Sequence, residues 1–83
     1  MPRFVITIAG RVVTSIEEAG ESTDEDLGLE WALSELRDSF RHDGRVDGQY
    51  SLADAAEVAD FLGVLRGLLG DAALGGHADR VAG

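Results

Sequence analysis

His42 and Asp43 stand side by side, and a histidine next to a carboxylate is the smallest unit that could move a proton near neutral pH or begin a metal site. Adjacent residues on a helix do not face each other, and no further ligand stands at metal spacing. The pair therefore reads as an exposed histidine at a helix C-terminus, where a cation is favoured. Carboxylates are abundant, 16 in 83 residues, so some pairs arise from density alone and carry no catalytic weight. The chain has no cysteine, which excludes thiol catalysis, disulfides and thiolate metal sites. All seven of its basic residues are arginine, so no glycine-rich phosphate loop closes on a lysine, and no serine-nucleophile pattern occurs. No catalytic residue is assigned, no cofactor is implied, and a non-enzymatic role is expected.

One stretch has ligand spacing. Asp43, Asp47, Gly48 and Asp54 fall at positions 1, 5, 6 and 12 of a calcium loop, in which alternating carboxylates converge on a hard cation and the glycine permits a sharp turn. This stretch resembles the EF-hand, or the related loop-helix of dockerin modules, where the last ligand can be aspartate. The resemblance implies a calcium-responsive helix-loop-helix with Asp43, Asp47 and Asp54 as ligands. It departs from that pattern at Arg45, a cation in a ligand position, and at Tyr50, where an aliphatic residue is usual. The preferred reading is an interhelical connector with a tight turn at Asp47-Gly48 and no metal; a short third strand over 45–50 is its other possible form.

Residues suited to holding a partner are easier to find. Leu27 and Trp31 lie one helical turn apart, away from the face that would be buried, and tryptophan is enriched among residues that dominate binding energy. The competing reading places Trp31 inside, between a hairpin and a second helix. Upstream, Glu17, Glu18, Glu21, Asp24, Glu25 and Asp26 form an acidic linker. It reads either as a solvated loop or as a surface for a basic partner, with carboxylates standing where phosphates would. On the second helix, Phe61, Val64 and Leu68 flank the core face, and Gly63 and Gly67 continue a ridge of small residues; this flank is a candidate homodimer seam.

The elements that position these groups follow from periodicity. Phe4, Ile6 and Ile8 alternate with Val5, Thr7 and Ala9, Gly10-Arg11 suits a type II′ turn, and Val12 to Ile16 is again β-branched; strands are expected at about 3–9 and 12–16. Leu29, Ala32, Leu33, Leu36 and Phe40 share one face of a helix over about 24–42, with Ser22 or Thr23 as its cap. Ala55, Val58, Leu62, Leu65 and Leu69 share one face of a second helix over about 52–69, with Ser51 as cap, Asp54 three residues later and Gly70 as terminator. That second apolar stripe is wider than one neighbour needs. The fold class is α+β: an N-terminal β-hairpin packed on two helices in a single small domain, 1–70, followed by a flexible Ala/Gly-rich tail, 71–83.

A domain this small has a marginal core, which favours self-association or a partner, and a homodimer is expected. The net charge of −9 repels nucleic-acid phosphates and anionic membranes, so neither is an expected partner. The apolar run Phe61 to Leu69 is short of the roughly 20 residues of a membrane span and is interrupted by Arg66. Without a basic, then apolar, leader at Met1 the expected location is the cytoplasm. The first-ranked function is a non-catalytic interaction or regulatory protein whose partner is another protein with a basic surface. Its sharpest version is an inhibitor of a nucleic-acid-handling protein by charge mimicry. The calcium-responsive module and a structural subunit of a homo-oligomer are the alternatives.

Overall fold

The computed structural model describes residues 2–21 and 28–81. Strands β1 (Pro2–Ala9) and β2 (Val12–Glu21) form the hairpin, helix α1 (Leu29–Asp43) follows, then strand β3 (Gly48–Leu52) and helix α2 (Ala55–Leu69). Two 3-10 turns, Asp71–Leu74 and Ala78–Arg80, complete the order. The sheet is antiparallel with order β2-β1-β3, so the first strand of the chain is the central one. The third strand lies slightly beyond the expected 45–50 and supplies the pairing that an isolated hairpin lacks.

Alternation sorts the sheet into two faces. Ile6 is level with Ile16 and Tyr50, Phe4 with Leu52, and Ile8 with Val13. Of these, Ile6, Ile8, Val13, Tyr50 and Leu52 are buried under the helices together with Ala32, Leu36, Val58, Leu62 and Leu65. The core face predicted for α1 holds, with Leu29, Leu33 and Phe40 packed at its margin. The opposite sheet face carries Thr7, Ser15, Gln49 and Ser51, as expected for a sheet covered on one side.

Four expectations are corrected. The hairpin turn has positive φ at both central residues, 66° at Gly10 and 66° at Arg11, the signature of type I′ rather than II′. Strand β2 continues through Glu17–Glu21, because β1 still offers Phe4 and Val5 as partners for Glu18 and Glu17. The first part of the supposed acidic linker is therefore an edge strand, where charged side chains discourage pairing with other chains. Helix α1 begins at Leu29 with Gly28 as N-cap, later than the expected 24; Ser22 and Thr23 lie outside the described residues. Helix α2 begins at Ala55 and is capped by Asp54, because Ser51 is held in β3.

Asp71 to Val81, expected to trail from the domain, lie on it. Ala73 and Leu74 are buried in the core, and Val81 packs at its edge. Gly75, at φ +58°, sits so close to β2 that an added Cβ would collide with the Val13 carbonyl oxygen and come 2.9 Å from Val12 Cγ1. The segment has too little helical periodicity to announce itself, but Leu74 and the close approach of Gly75 fix its place.

Candidate functional site

The N-terminal turn of α1 combines a large exposed side chain with a concavity. Ala32 and Leu36 point into the core, and this orientation turns Trp31 outward, with Ser34 one turn on. Trp31 is 57% exposed and is the one exposed large hydrophobic side chain among the described residues, so the reading that placed it inside is overturned. It lines a shallow groove of about 710 Å³ with Gly28, Leu29, Glu30, Ser34 and Glu57.

Glu57 reaches the groove from the first turn of α2, where a capping network anchors it. Its N–H donates to Asp54 Oδ1 at 2.9 Å, and its own Oε1 accepts from the Ala53 N–H at 2.9 Å. This is close to the reciprocal arrangement of a capping box. A Cβ on Gly28 would lie 3.7 Å from either oxygen of the Glu57 carboxylate, which places that carboxylate beside the start of α1, where no side chain caps the helix. One carboxylate thus stands near the N-termini of both helices, where amide dipoles favour negative charge. Sequence reasoning found Trp31 and missed Glu57. The available signal was Asp54 followed three residues later by a glutamate.

The other predicted partner-binding residues do not gather here. Glu17 and Glu18 are exposed on β2 and, as consecutive strand residues, point to opposite faces. Glu21 ends that strand, while its side chain and Leu27, Asp24, Glu25 and Asp26 lie outside the described residues.

The calcium ligands part company. Asp43 is the exposed last residue of α1, Asp54 caps α2, and Asp47 caps the hairpin. The Asp47 carboxylate accepts from the Gly10 N–H at 3.0 Å through Oδ2 and from the Arg11 N–H at 3.2 Å through Oδ1. These two bonds, aided by the charges of Arg45 and Arg11, hold its pKa below the usual 3.8. Among the described residues no group of three or more His, Cys, Asp or Glu side chains is arranged to hold a metal ion.

The dimer seam also dissolves as a unit. Phe61 is wholly buried, its ring 5.0 Å from that of Tyr50, because α2 lays its Phe61 side on the sheet. Val64 and Leu68 are partly buried at the core margin, Val81 Cγ1 stands 3.9 Å from the Cβ position of Gly63, and Gly67 has nothing within 4 Å of its own. The excess apolar surface of α2 is thus met largely by the chain's own C-terminal segment. No helix among the described residues is long and apolar enough to cross a membrane.

Comparison with protein-family models, with curated proteins and with solved structures finds no match.

Proposed function

We propose that this protein is a non-catalytic binding protein that engages a basic surface of another protein through the Trp31 groove. The observation that carries the reading is Trp31 itself. Leaving a tryptophan more than half exposed forgoes apolar burial in a domain with little to spare, which makes a contact role the natural account of the position. The groove adds two carboxylates, Glu30 and Glu57, and no basic side chain among the described residues. The whole chain adds a net charge of −9, which steers cationic surfaces toward it. Inhibition of a nucleic-acid-handling protein, with carboxylates standing in for phosphates, is the sharpest form of this reading. A calcium-responsive role is disfavoured because Asp47 and Asp54 serve as caps.

The test is capture of partners by the tagged chain from a lysate of its source, eluted in steps of salt, beside a Trp31→Ala variant. A basic protein retained by the parent, released by moderate salt and lost from the variant is the expected result. Equal retention by both forms overturns the role given to the groove.

A further inference from the structure

The groove has the chemistry of an arginine receptor. We infer that it takes an arginine side chain from an exposed segment of the partner, the guanidinium lying on the Trp31 indole and pairing with the Glu57 and Glu30 carboxylates. This rests on the binding reading above and specifies what is recognised.

Charge sets the sign of the occupant. Glu30 and Glu57 carry two negative charges, while the N-termini of α1 and α2 each supply roughly half a positive charge. With the Asp54 carboxylate also seated on the α2 terminus, the groove keeps at least about one negative charge, which selects a cation. Shape and donor geometry then distinguish cations. A flat, delocalised guanidinium stacks on an indole and offers parallel N–H donors to a carboxylate, whereas an ammonium is a compact, strongly hydrated point charge. Glu57 is suited to accept them. Its Oε1 is held by the Ala53 N–H, which anchors one end of the carboxylate while its other oxygen has no hydrogen bond of its own among the described residues. Gly28 itself adds no side chain between the start of α1 and that carboxylate.

The experiment titrates the full chain with blocked tetra-arginine and tetra-lysine peptides at low and physiological salt. It uses calorimetry for every variant and the emission of the single tryptophan for the parent. Tetra-arginine should bind more tightly than tetra-lysine and shift Trp31 emission. Trp31→Leu should weaken it by about 2–5-fold, the size of an exposed stacking contact. The double variant Glu30→Gln with Glu57→Gln should weaken binding further and flatten the salt dependence; glutamine still accepts from the Ala53 N–H, and circular dichroism verifies that the fold is kept. Equal binding of the two peptides with unchanged emission overturns the inference. So does binding indifferent to Trp31→Leu. If either occurs while Trp31→Ala still abolishes capture of the natural partner, the binding reading stands and only the arginine receptor falls.

Discussion

Asp47 shows how one exposed side chain can hold a turn. It donates nothing and accepts from both central amides of the hairpin, which offsets the left-handed backbone of Arg11, a conformation that side-chain-bearing residues rarely adopt. Because its folded pKa is lowered, the stability it contributes is present above the unfolded value of 3.8 and is lost as pH falls through the folded one. Asp47→Ala should therefore melt below the parent at neutral pH, and the gap should close in the acid limb. Thermal unfolding across that range checks this, and a gap that persists at the lowest pH would count against the turn-holding role. Tyr50 works at the same scale from within. Its buried hydroxyl donates to the Val46 carbonyl at 2.8 Å, so Tyr50→Phe should lower stability by about 1 kcal/mol in a denaturant titration. Burial raises the Tyr50 pKa above 10, with Glu35 and Asp47 adding to the effect. The parent should accordingly lose stability as pH climbs above about 10, and Tyr50→Phe should lose less.

Among the elements, the C-terminal segment and α2 place two glycines in opposite situations. Gly75 has positive φ and abuts the Val13 backbone, so Gly75→Ala should cost about 1–3 kcal/mol from the backbone conformation alone, before any shift of β2. Gly67 lies inside α2 with open space around it, and Gly67→Ala should stabilise by about 0.5–1 kcal/mol. Urea titration of both variants decides whether the segment is clamped or merely adjacent. The same pair marks what could be read in advance. The hairpin and both helices were legible because Phe4-Ile6-Ile8 and Leu29-Leu33-Leu36 carry unmistakable periods. Strand β2 was undercounted because glutamates have low strand propensity, and only pairing with β1 makes Glu17 and Glu18 extended. The fate of Leu74 depends on side chains distant in sequence, which no local pattern records. In the site, Trp31 was visible by its type, whereas Glu57 looked like an ordinary first-turn carboxylate until the fold brought it to Gly28.

For the molecule as a whole, charge and cover make linked demands. A net charge of −9 on an 8.8 kDa domain opposes its own compaction, so added salt should raise the melting temperature while weakening attachment to a basic partner. Opposite responses of stability and affinity in one salt series are the expected outcome; parallel decline would mean that ion pairs within the fold outweigh repulsion. The dimer expected from the bare sequence rested on uncovered surface along α2. With Phe61 inside and Ala73, Leu74 and Val81 packed at or near that surface, sedimentation should report a single copy in isolation.

The order of strands has a temporal consequence. The ribosome delivers β1 before the elements that cover it, yet β1 is the middle of the sheet, whose apolar face shares one core with α2 and with Leu74, both made later. At ordinary rates of translation, the hairpin would wait roughly 3–10 s for Leu74 to be synthesised. During that interval Ile6 and Ile8 are without their native cover. The nascent chain would thus complete this fold only once Leu74 has been made, and the glutamates along β2 would help keep the waiting hairpin from pairing with its neighbours on a polysome.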